Sequence, residues 1–183
     1  MSPAALSSTI DLHAPKAFPS ASRPSRTYII YFITGNPGLI EYYRTFLTHL
    51  YALLAASDLA SHSDFRVYGR SLSGFEVDGA TSTRTKDGPP YGLETQILHS
   101  KMALENLVHK ERENGAGDVR VVLIGHSVGA YMLLEIIRQT REALLKAPDN
   151  GVRIAGGVGL FPTITHLAQS RSGIKFGVSC PSR

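Results

Sequence analysis

Tryptophan is absent from this chain of 183 residues, and cysteine occurs once, at Cys180. A single thiol excludes an internal disulfide and a multi-cysteine zinc site, which fits a reducing compartment. No apolar run approaches the roughly 18 residues that a membrane-spanning helix needs. Charge of one sign is scarce too. Nineteen Lys and Arg against fifteen Asp and Glu leave +4, and Arg23, Arg26, Arg66, Arg70, Arg84 and Arg120 form no run. With no basic stripe interleaved with aromatic residues, nucleic-acid binding is not expected. The small excess serves solubility, with weak attraction to anionic surfaces. What remains, 43% hydrophobic and 19% charged residues, is the composition of one soluble globular domain.

Residues 1–26 are rich in Ser, Pro and Ala and have no hydrophobic core of signal-peptide length. A disordered leader is expected there, with a mitochondrial transit peptide as the alternative. Order is expected from Thr27. "TYIIYFIT" is a short, doubly apolar run ended by "GNPG", the pattern of a strand buried on both faces. "LIEYYRTFLTHLYALLAAS" spaces Ile40, Tyr43, Leu47, Leu50 and Leu54 by threes and fours, which predicts an amphipathic helix. "FRVYGRSL" (65–72) reads as a second strand and 74–91 as a long exposed loop. A helix over Leu93–Lys110 presents Ile97, Leu104 and Val108, and "ENGAGD" stops it. "VRVVLIG" is a third strand, Val128–Leu145 a third helix, and "VRIAGGVGLFP" a fourth strand. This alternation predicts an α/β fold with a mainly parallel sheet flanked by helices. Ligand sites in such sheets form at the carboxyl ends of the strands, where "GNPG", "GHSVG" and "LFPTI" fall.

Gly125-His126-Ser127-Val128-Gly129 fits G-x-S-x-G. The string alone is weak, but an apolar strand runs into it and an apolar-faced helix runs out, the setting of a nucleophile elbow. Gly125 and Gly129 are the small flanks such a turn needs, Ser127 is the candidate nucleophile, and the helix N-terminus behind it suits a developing oxyanion. The alternative is a strand-to-helix turn whose serine caps the helix. An oxyanion hole takes one N–H from the residue after the nucleophile and one from the loop after an earlier strand. Val128 is the first candidate. Asn36 is the second, because Pro37 has no N–H; an ordinary Asn-Pro-Gly turn is the competing reading.

The apolar strand into "GNPG" with "IEYYRTFL", then "YGLETQILHSKMAL", "VVLIGHSVGAY" and "GLFPTITHLAQSRSG" resemble, in that order, the lipid droplet-associated hydrolase family of the α/β-hydrolase superfamily. The resemblance covers about residues 27–173, read as a partial α/β-hydrolase domain, with 174–183 a divergent tail. It implies an α/β-hydrolase core, Ser127 as nucleophile, an ester or lipid-ester substrate, and a place at the lipid droplet or in the cytoplasm. Chains of this family continue beyond the "LFPTI" segment to deliver an acid and a histidine. The expectation is therefore the N-terminal half of a hydrolase, without its triad acid and base.

Triads on this fold run Ser, then Asp or Glu, then His. After Ser127 the acids are Glu135, Glu142 and Asp149, and the one histidine is His166. Glu135 and Glu142 fall on the helix leaving the elbow and Asp149 in the turn beyond it, so none is expected to orient a base. His166 is a weak candidate base. His126 is expected to point away from the serine and bond locally, and His99 to be satisfied on its helix. No metal or cofactor is implied, since ester hydrolysis by serine needs none. A non-catalytic lipid-droplet or partner-binding module on the same fold is the alternative function. A nucleotide-binding domain is discarded: "GGVG" at 156–159 lies within a strand and matches neither G-x-G-x-x-G nor a P-loop.

Overall fold

The computed structural model describes residues 6–13, 26–77, 88–146 and 151–164. Five strands and three α-helices follow one another: β1 (Thr9–Leu12), β2 (Arg26–Ile33), α1 (Arg44–Ala56), β3 (Ser63–Arg70), α2 (Leu93–Glu113), β4 (Asp118–His126), α3 (Val128–Lys146) and β5 (Ile154–Leu160). Single 3-10 turns at Ile40–Tyr43 and Asp58–Ser61 bracket α1. The sheet order is β1-β3-β2-β4-β5. β1 runs antiparallel to β3, and the other neighbours pair in parallel. The fold is α/β.

Two periodicities build it. Along β2, Ile29, Tyr31 and Ile33 enter one buried cluster while Ile30 and Phe32 enter another, because successive strand residues face opposite ways. The first cluster is covered by α2 and α3 through Ile97, Leu104, Val108, Met132, Leu133 and Ile136. The second is covered by Ile40, Tyr43, Leu47, Leu50 and Leu54, the five residues whose spacing marks the first helix in the sequence. Three layers result, with α1 on one face and α2 and α3 on the other.

Thr9–Leu12 lie in the stretch read as a disordered leader, and they form β1 at the sheet's edge. Four residues are too few to show a period, and the strand is held by tertiary contacts. Ile10 is 1% exposed among the α1-side residues. Asp11 pairs with Arg66 on β3, and the same guanidinium reaches the buried Glu111 on α2. The first helix also differs from its expectation. Its opening turn is 3-10, and Tyr43 stands at the junction with α1. Leader residues 1–5 and 14–25, loop residues 78–87 and the tail 174–183 lie outside the described ones.

At the opposite end of the strands from the turns of interest, Asp118 gathers Arg26 of β2 (2.9 Å), Arg120 of β4 (2.8 Å) and Arg153 ahead of β5 (3.7 Å). Hydrogen bonds from Arg120 and then Arg26 hold its carboxyl below the ordinary value of 3.8.

Two outcomes are expected in urea unfolding. Arg66→Met, which strands the buried Glu111 carboxylate, should cost about 3 kcal/mol, whereas Asp11→Asn on the open side should cost under about 1 kcal/mol. Asp118→Asn should lower stability at neutral pH. A depressed folded-state pKa contributes stability that is whole above the unfolded value and is lost as pH falls through the folded one. The gap between Asp118→Asn and the parent chain should therefore close as pH drops below the ordinary aspartate range.

Candidate active site

β2 and β4 are neighbours, with Ile33 opposite Gly125, yet the chain leaves them in opposite directions. β2 leads to α1 on one face, and β4 leads to α3 on the other. That divergence opens a crevice at the carboxyl ends of the strands, and the turns after β2 and β4 meet in it.

Ser127 sits between β4 and α3 with a φ of 53°, a left-handed conformation that costs a non-glycine residue about 1–3 kcal/mol. Its backbone is tied on both sides. Its N–H donates to Leu160 O (2.9 Å), and its carbonyl accepts from Ala130 N–H (3.0 Å) and Thr163 N–H (3.3 Å). The two flanking glycines are required by close approach. A Cβ on Gly125 would lie 2.3 Å from Gly129 O, and one on Gly129 would lie 2.4 Å from Ile33 O. Ser127 does not cap α3 with its side chain. The Oγ pairs with Thr163 Oγ1 at 3.1 Å, and among the described residues no helix N–H donates to it. Val128 is the first residue of α3, so its N–H is one of those a helix leaves unpaired.

The turn after β2 closes through Gly38 N–H to Gly35 O (2.7 Å), and Gly38 O accepts from Leu72 N–H (2.8 Å). Asn36 is exposed at its tip, and among the described residues its N–H has no partner. The turn lies against the elbow. A Cβ on Gly35 would fall 2.8 Å from His126 Nδ1 and 2.9 Å from Ser127 Cβ. Ser127, Gly125, Gly129, Val128 and the Asn36 turn are thus brought together.

His126 faces away from Ser127 toward the α1 layer, where Nδ1 meets the Tyr43 hydroxyl at 3.0 Å. Phe161 packs edge-on against its ring. Glu135 and Glu142 both pair with Arg138 on the outer face of α3 (3.0 and 2.7 Å) and take no part in the site. His99 Nδ1 meets Ser73 Oγ at 2.9 Å beside Tyr91. Gly156, Gly157 and Gly159 lie in β5. His166 and Asp149 fall outside the described residues. Ser127 Oγ therefore has a threonine for a partner and, among the described residues, no imidazole or carboxylate. Two residues of the site escaped sequence reasoning. Thr163 stood inside "LFPTI" with no chemistry to single it out, and Tyr43 looked like one more apolar-face position of a helix.

A family model described as lipid-droplet associated hydrolase matches residues 26–181. The chain belongs to this family. The match runs past residue 173, where the motif resemblance stops. Curated lipid droplet-associated hydrolases are similar over the same region. The one from Mus musculus is 32% identical over 83% of this chain and 42% of its own length. That from Gallus gallus is 33% identical over 77% and 38%, and that from Dictyostelium discoideum 29% over 82% and 42%. The chain thus spans about two-fifths of the length of these relatives. Among the described residues no helix is long and apolar enough to cross a membrane.

The glycine geometry of this family member predicts a contrast. Gly129→Ala forces a methyl group into the β2 carbonyls and should destabilise by about 1–3 kcal/mol or more. Gly156→Ala has nothing within 4 Å of the new methyl and should be neutral or stabilising by about 0.5 kcal/mol. Chemical unfolding of the two variants checks both.

Proposed function

We propose that this chain carries the nucleophile and oxyanion hole of a serine ester hydrolase that acts on lipid esters. The observation that carries the reading is the strained Ser127 pressed against the Gly35–Gly38 turn at the divergence of β2 and β4. Ser127 Oγ attacks the ester carbonyl carbon and gives up its proton to a base. Charge gathers on the carbonyl oxygen, which the N–H groups of Val128 and Asn36 receive, with the positive end of α3 behind them. Collapse expels the alcohol and leaves an acyl-serine, which water then cleaves. A base and its orienting acid are not among the described residues, and His166 remains a weak candidate for the first.

The substrate class and a lipid-droplet location rest on the name of the relatives and on the rim of the crevice. Phe161, 83% exposed and packed on His126, and the exposed Phe75, which borders Gly38, present aromatic surface at the two turns, suited to acyl chains. One observation favours the second reading, a non-catalytic lipid-droplet or partner-binding module: the hydroxyl partner of Ser127 is Thr163.

A fluorophosphonate probe on the purified 183-residue chain separates the two. Slow labelling of the parent chain that Ser127→Ala abolishes is the expected result, the hydroxyl being activated by the elbow and helix N-terminus without an identified base. Loss of label in folded His166→Ala would identify that residue as the base. A folded parent chain that takes no label would overturn the hydrolase reading for this chain in favour of the binding module.

A further inference from the structure

We infer that Tyr43 is a positioning residue, a brace that holds the Gly35–Gly38 turn against the serine elbow through its phenol oxygen. Its significance for catalysis rests on the reading of Ser127 and Asn36 proposed above; the brace itself does not.

The Tyr43 hydroxyl touches both turns at once. Gly35 N–H donates to it at 3.3 Å, and it meets His126 Nδ1 at 3.0 Å. A phenol has one hydrogen and two lone pairs. With Gly35 donating to the oxygen, a second lone pair and the phenol hydrogen are left for the bond to His126 Nδ1, which forms with either ring tautomer. One residue from β4's end and one from β2's end are thereby joined through a third from the head of α1. The ring's place is set independently of these bonds, by packing on Phe32 with centroids 4.6 Å apart and on His126 at 5.5 Å. The hydroxyl is therefore delivered to the two turns by a packed core element. His126 reaches it because alternation along β4 sends Val122 and Ile124 to the α1 side, and His126 follows two residues on.

The geometry explains two features of the sequence. The second position of the elbow carries a side chain that serves the turn, not the serine. The bond from Gly35 also leaves Asn36 as the first N–H of the turn without a partner, next to a Gly35 so close to Ser127 that a methyl group could not be inserted. A shift of the turn moves that N–H relative to the serine, and misplacement by about 1 Å costs a reaction on the order of a hundredfold.

Four forms of the full chain test the brace: the parent, Tyr43→Phe, which keeps the ring and removes the hydroxyl, His126→Phe, which removes the ring nitrogen, and His126→Asn, whose amide can take the place of Nδ1. The readouts are the rate of fluorophosphonate modification at Ser127, amide hydrogen exchange at Gly35 and nitrogen-15 shifts of the His126 ring. Expected are faster Gly35 exchange in Tyr43→Phe and His126→Phe and a change in the His126 ring nitrogen shifts in Tyr43→Phe. Modification should slow by about 10- to 100-fold in those two variants and recover most of its rate in His126→Asn. Unchanged Gly35 exchange in Tyr43→Phe would overturn the brace. Unchanged modification with altered exchange would overturn its role in positioning. If the parent chain takes no label, the hydrolase reading fails, and the exchange and ring signals still decide whether Tyr43 holds the turn.

Discussion

The first turn of α3 lies directly on the carbonyls that end β2, and the rest of the site depends on that contact. Backbone can approach backbone this closely only where no Cβ intervenes. The space a side chain on Gly129 would need is filled by Ile33 O and Thr34 O, and that on Gly125 by Gly129 O. The helix is thus pulled down over the sheet immediately after β4, and Ser127, with no room to relax, is left in a left-handed conformation. The strain is sustained by the three backbone hydrogen bonds that reach Ser127 from Leu160, Ala130 and Thr163, two of which come from the segment at and after β5.

Sheet order makes this local squeeze chemically useful. Because β2 and β4 are adjacent and their helices leave on opposite faces, two turns distant in the chain share one crevice. One brings a serine hydroxyl and a helix N-terminus. The other brings a glycine-bounded turn whose Asn36 N–H has no partner among the described residues. Apolar residues arrive from β3's continuation and from β5's end, in Phe75 and Phe161. Ionic groups lie at both ends of the strands: Asp118 and its arginines gather at the far end, Arg66 pins β1 to α2, and Arg70 at the end of β3 pairs with Glu76 (3.5 Å) beside Phe75.

β5 has β4 on one side and, among the described residues, no strand on the other. Its Val158 is 44% exposed, and no described residue lies within 4 Å of where a Cβ on Gly156 would stand. The matched region is about two-fifths of the relatives' length. The strained serine turn is thus formed within the part of the family's chain seen here, with Thr163 standing at the Ser127 hydroxyl.

The alternation of apolar runs, the helical spacing from Ile40 to Leu54, and the elbow at 125–129 could all be read from the sequence by itself, as could membership of the family. Each is written in residues close together along the chain, where periodicity and turn chemistry act. β1 was not legible, since four residues carry no period and its place depends on Ile10 and Asp11 finding partners far away. Nor was the brace or the threonine: Tyr43 and His126 are 83 residues apart, and Ser127 and Thr163 are 36 apart. Those pairs exist only once strand order and register are set. Local pattern determined which elements form and where the glycine-flanked serine turn falls; the tertiary structure alone decided what touches it, because contacts between distant residues are fixed by how the layers stack and not by any spacing within them.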